Sequence, residues 1–177
     1  MSYIPNPKTV KYFYLFSKLF TFTLAFVGIF AMLGWITSTP LFPIIHIGYL
    51  TIKANSALMC MAAAIAIYHL PKYKLKSFDR ILFISSLVFI FVLSILTLVQ
   101  YKFDINLGID ELFFKDLGKP TLDKYPGRMS ASGAVVGLLF LLCALLFHLE
   151  YYYIPQSVFL IIGIIAYSRI FADLLEL

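Results

Sequence analysis

Long apolar runs dominate the chain, and short polar stretches separate them. Five runs, 14–36, 54–70, 81–99, 131–149 and 151–170, approach the roughly 20 apolar residues that a helix needs to cross a bilayer. None alternates with the period of two that a barrel strand would show. In hydrocarbon every backbone polar group must be satisfied internally, which leaves helices. The pattern predicts an all-α fold, a polytopic transmembrane helical bundle of about five spans. Pro155 falls in the first turns of the fifth run, where proline is tolerated. The second run is short and rich in small residues (Ala54, Ser56, Ala57, Ala62, Ala63, Ala64, Ala66). Small residues let helix backbones approach closely, so this helix is expected at the centre of the bundle. The third run is rich in Phe, Ile, Val and Leu and is expected to face lipid.

Two stretches read alike. "GWITSTPLFPIIHIGYLTIKANSALMC" and "QYKFDINLGIDELFFKDLGKPTLDKYPGRMSASGAVVG" each follow an apolar run and open with an aromatic residue. Each then passes through a loop bearing Pro and Gly and closes on a polar cap with a small-residue helix start. Lys53-Ala54-Asn55-Ser56-Ala57 aligns with Ser130-Ala131-Ser132-Gly133-Ala134. Both following helices end in His-Leu, at His69 and His148, with a slip of two residues. The predicted unit is a helix-loop-helix hairpin present twice, and the fifth run resembles the start of a third copy.

Composition strengthens the membrane reading. Of 177 residues, 62% are hydrophobic and 13% charged, against about a quarter charged in soluble domains. The run Leu19 to Trp35 has no small-residue cleavage site followed by a polar mature domain, so it reads as a retained helix. The net charge of +5 suits lysines and arginines that flank spans and meet anionic headgroups; no nucleic-acid partner is expected. Cys60 and Cys143 lie inside apolar runs with no CxxC pairing, which points to inert thiols. Seven basic residues (Lys8, Lys11, Lys18, Lys72, Lys74, Lys76, Arg80) fall on one side of the predicted bundle. Six (Lys53, Lys102, Lys115, Lys119, Lys124, Arg128) fall on the other. The dense cluster at 72–80 places the N-terminus in the cytoplasm and the outer loop, 101–130, outside. The last residues, "AYSRIFADLLEL", carry no polar tail, and the chain is expected to continue past Leu177.

The outer loop holds the candidate chemistry. Asp104 to Ser130 contains five acids, three glycines and two prolines. Asp110 and Glu111 are adjacent carboxylates after a glycine. They suit a cation or acid/base site, or the start of a short helix with Leu112, Phe113 and Phe114 dipping into the interface. Tyr125-Pro126-Gly127-Arg128 reads as a turn, with Pro second and Gly third. Arg128 suits an anionic ligand or an internal pair with Asp110 or Glu111. His69 and His148 sit at one end of neighbouring helices, a weak haem pattern; His46 has no evident partner. Trp35, Tyr49, Tyr101, Tyr125 and Tyr151-Tyr152-Tyr153 make an aromatic belt. No catalytic or nucleotide-binding motif appears, no metal or cofactor is called for, and no charge lies mid-span in the first four runs, which argues against a transporter or pump.

These residues together resemble a known group. "LGW" at 33–35, "TIKANSALMC" at 51–60, "NLGIDELFF" at 106–114 and "YPGRMSASGA" at 125–134 are similar to the N-terminal multi-helix membrane sensor segment of bacterial sensor histidine kinases with PAS domains. That segment is also found before diguanylate cyclase domains. The similarity spans nearly the whole chain in order and spacing. The group usually carries Pro and Asn-Thr where this chain has Ala131, Ser132 and Gly133. The resemblance implies a signal-input domain in the bacterial inner membrane. It also implies a homodimer through signalling helices, and phosphotransfer or nucleotide-cyclising domains beyond residue 177. The alternatives are a small haem- or quinone-linked electron-transfer protein and a structural subunit of a membrane complex.

Overall fold

The computed structural model describes residues 7–37, 52–70, 76–115 and 125–149, with positions 158 and 164. Four helices account for most of them: α1 (Pro7–Thr37), α2 (Ala54–His69), α3 (Ser77–Phe103) and α4 (Ala131–His148). Three contain segments long and apolar enough to cross a membrane, Tyr14–Thr37, Ser77–Phe103 and Ala131–His148. That marks the chain as a membrane protein. The expectation of about five spans is therefore too many for the described residues. With 16 residues at about 1.5 Å each, α2 falls short of a core about 30 Å thick. The fifth run lies outside the described residues except at Val158 and Ile164.

Helix ends follow local chemistry. Pro7 opens α1, where its missing N–H is no loss. Asp79 sits in the first turn of α3 and Lys102 in its last, each favourable to the helix dipole. That helix is longer at both ends than residues 81–99, since Ser77–Arg80 and Gln100–Phe103 continue it with Ser77, Asp79, Arg80, Gln100 and Lys102 as well as apolar residues. It stops at Asp104, whose backbone is left-handed (φ 50°). Asp is among the few residues besides Gly that tolerate that region. The Ile105 N–H closes the cap on the Gln100 carbonyl at 3.2 Å.

Neighbouring helices pack in chain order. The second helix lies against α1 and α3 and touches α4, and α3 lies against α2 and α4. The small-residue helix is thus central, as expected. Its Ala57 meets α1 so closely that a side chain at Gly28 would run into the Ala57 carbonyl. The expectation that α3 faces lipid holds for one side of the helix only. One of its faces, Phe83, Ser86, Leu87, Ile90, Leu93, Ser94, Thr97 and Gln100, is buried, at the three- and four-residue spacing of a helix stripe. The opposite face, including Ile84, Val88, Phe91 and Ile95, is exposed. The helix with most surface open to lipid is α1, which among the described helices packs only on α2. Its Thr21, Thr23 and Thr37 hydroxyls donate to carbonyls four residues back, so none needs a partner outside the helix.

Two apolar clusters hold the bundle. Towards the histidine ends, Ala66, Phe83, Leu87 and Ala144 join α2, α3 and α4. Towards the loop, Leu93 and Ala134 meet Met129, with Met59, Phe89, Leu98 and Ile109 against them. Ile109 and Met129 belong to the loop, so the loop plugs the upper core.

Candidate functional site

Residues 104–115 form turns, bends and irregular backbone rather than the short helix considered at Asp110 and Glu111. Such a segment cannot satisfy its own carbonyls, and buried backbone groups need partners. Side chains supply them. Tyr125 Oη donates to the Asp104 carbonyl at 2.8 Å and Arg128 Nη2 to Ile105 at 2.8 Å. Asn55 Nδ2 donates to Ile109 at 3.0 Å, and Tyr101 Oη to Met129 at 3.2 Å.

An ion pair lies at the centre. Arg128 Nε donates to Asp110 Oδ2 at 2.9 Å, both side chains being almost fully buried. Gln100, in the last turn of α3, donates through Nε2 to both Asp110 oxygens at 3.0 and 3.1 Å. Its Oε1 accepts the Leu107 N–H at 2.8 Å. A carboxylate only accepts, so it fixes which end of the Gln100 amide faces it. The Arg128 guanidinium lies 3.8 Å from the Tyr125 ring centroid and 5.4 Å from that of Tyr101, within cation–π range of both. Gly127 brings the turn in. Its φ is +73°, and a Cβ there would stand 2.9 Å from the Asp110 carbonyl oxygen.

Of the two possible partners for Arg128, the structure pairs it with Asp110; Glu111 is exposed beside it. Tyr125 both caps the guanidinium and reaches the end of α3. Sequence reasoning did not single out Gln100 or Asn55, and assigned Tyr101 only to the aromatic belt. The histidines considered for haem end α2 and α4. His69 is buried with its ring 5.1 Å from Tyr68, and His148 is exposed with its ring 5.9 Å from Phe83. His46 lies outside the described residues. Among the described residues no group of three or more His, Cys, Asp or Glu could hold a metal ion.

Chemically the arrangement is a clasp. Both oxygens of Asp110 are engaged and its charge is matched. Its partners there, the Arg128 guanidinium and the Gln100 amide, are hydrogen-bond donors and not nucleophiles or bases. Breaking such a pair from one side costs about 3–5 kcal/mol, because the remaining charge is left buried. No family model, no curated protein and no solved structure matches the chain.

Proposed function

We propose that residues 1–177 form the membrane-embedded signal-input domain of a bacterial sensory protein, with the loop clasp as its moving part. One observation supports this reading most. Three separated sequence stretches, around Asn55, Asp110 and Arg128, converge on one buried polar centre at the mouth of the bundle. These are stretches on which the resemblance to sensor kinases rests. In this reading the N-terminus is cytoplasmic, the loop lies outside the inner membrane, and two copies associate through their signalling helices. Histidine kinase domains on a continuation of the chain, or less favourably a diguanylate cyclase domain, would read the output. Helix shifts of about 1–2 Å suffice for such coupling. Gln100 and Asn55 connect Asp110 and its neighbour Ile109 to α3 and α2, so opening the clasp would release both helices at once.

The test uses the full-length protein in membranes. Autophosphorylation is compared for the native chain, Arg128→Met, and Arg128→Met with Asp110→Asn. Arg128→Met should change basal output several-fold while the protein stays in the membrane, and the double variant should restore part of it. A reading frame with no output domain, or equal output from all three with the clasp open, overturns the proposal.

A further inference from the structure

The clasp offers little to a water-borne ligand. Asp110 is 4% and Arg128 8% exposed, and their bonds are made within the chain. The rim around it is different. Ile105, Leu107, Leu112 and Phe113 are exposed, the last two at 67% and 58%. Large apolar side chains gathered on one short loop mark a contact surface. Lys102 and Lys115 are exposed at its two ends.

Three observations say what covers this rim. It follows directly from Phe103, the exposed last residue of a candidate span, and so continues the apolar outer surface of α3. The ring of Phe114, beside Phe113, lies 6.3 Å from Trp35 near the end of α1, and tryptophan concentrates at headgroup level. The flanking lysines match the phosphates of anionic lipids, each contributing attraction near a membrane surface. We infer that the loop rim is a lipid-binding surface. Ile105, Leu107, Leu112 and Phe113 enter the leaflet between headgroups and acyl chains, and Lys102 and Lys115 bind anionic headgroups. The contact stands apart from the signalling proposal; joined to that reading, it makes bilayer composition the input.

The experiment places a nitroxide at Phe113→Cys in the full chain, reconstituted in nanodiscs of zwitterionic lipid with or without phosphatidylglycerol. Phe113 is exposed, so the label should not disturb folding. Lipid-soluble oxygen should relax the label several-fold more than a water-soluble nickel chelate; a label relaxed mainly by the chelate overturns the insertion. Protease cleavage of the loop is the second readout. Phosphatidylglycerol should slow it by roughly tenfold through the two lysines, and Lys102→Gln with Lys115→Gln should abolish that slowing. Equal cleavage in both lipids, or slowing that survives in the double variant, overturns the headgroup contact. Neither readout involves a kinase, so failure here is distinct from failure of the signalling proposal.

Discussion

In the first hairpin Trp35, two residues before the end of α1, donates its indole N–H to the Ile52 carbonyl at 2.9 Å. In the second, Tyr101, two residues before the end of α3, donates its hydroxyl to the Met129 carbonyl at 3.2 Å. Each carbonyl lies two residues ahead of the next helix. The N-cap residues match as well, Lys53 at φ −63°, ψ 148° and Ser130 at φ −62°, ψ 147°. The contents differ. Position 100 carries the glutamine that holds Asp110, and the aligned position in the first hairpin is Gly34, which has no side chain to do so. Ser130 caps its helix by accepting the Gly133 N–H at 3.1 Å, while Lys53 makes no side-chain cap. Asn55 crosses to the loop of the second hairpin, but the aligned Ser132 turns back to its own cap, donating to Ser130 at 3.2 Å. The shared part is a backbone closure tied by one aromatic donor. The ion pair is an addition of the second hairpin, and the first hairpin reaches over to hold it.

The largest test of that contrast is Arg128→Met. It keeps most of the side-chain length over Tyr125 but leaves Asp110 buried without its countercharge. Unfolding of the purified protein in detergent should show a loss of about 3–5 kcal/mol, with faster proteolysis of the loop. Arg128→Met with Asp110→Asn should recover much of it, because neither charge is then stranded. In the first hairpin Lys53→Ala removes a charge at the aligned cap and should change stability by less than about 0.5 kcal/mol. Similar losses from the two would mean that the ion pair is no more than a surface contact.

The first four helix runs were legible because lipid demands apolar segments. The alignment of the two closures was legible because caps and small residues punctuate those runs. What faces what was harder. Both sides of α3 are apolar, so hydropathy does not separate them. The signal was the polar stripe Ser86, Ser94, Thr97 and Gln100, since polar side chains within a membrane turn inward. Ending the third span at Val99 left Gln100 outside that stripe. The turn at 125–128 and a pairing of Arg128 with a loop acid could be read from Pro, Gly and charge. Asn55 could not, because nothing local says that a residue in the first turn of α2 will meet a carbonyl 54 positions on. The adjacent carboxylates suggested a helix start, but Gly108 turns the backbone left-handed at φ +73° and Asp110 and Glu111 form a turn that does not continue as a helix.

A smaller effect sharpens the equivalence of the closures. Trp35→Phe and Tyr101→Phe each remove one donor and keep an aromatic ring. Each should cost about 0.5–1.5 kcal/mol, measured by the same unfolding. If the two closures are independent, the double variant should show the sum to within about 0.5 kcal/mol. A larger discrepancy would show that the hairpins are coupled through Asn55 and through the contact of Trp35 with Phe114. A negligible loss from Tyr101→Phe alone would break the comparison.

The smallest effect concerns Thr97, one turn below Tyr101. Its hydroxyl is the one buried side-chain polar atom among the described residues with no hydrogen-bond partner. Thr21, Thr23 and Thr37 of α1 donate to the carbonyl four residues back, and Thr97 does not. A buried hydroxyl without a partner has lost its hydration and gained nothing in return. Valine has nearly the same shape and carries a methyl where the hydroxyl was. Thr97→Val should therefore leave stability unchanged or raise it by up to about 1 kcal/mol, since replacing an unsatisfied polar group by an apolar one removes its desolvation cost. The aligned position in the first hairpin is Ala31, so that closure already does without a hydroxyl at this level. A loss of more than about 1 kcal/mol on Thr97→Val would mean that the hydroxyl is hydrogen-bonded after all. The polar stripe of α3 would then be a connected path from Ser94 to Asp110, with no counterpart in the first hairpin.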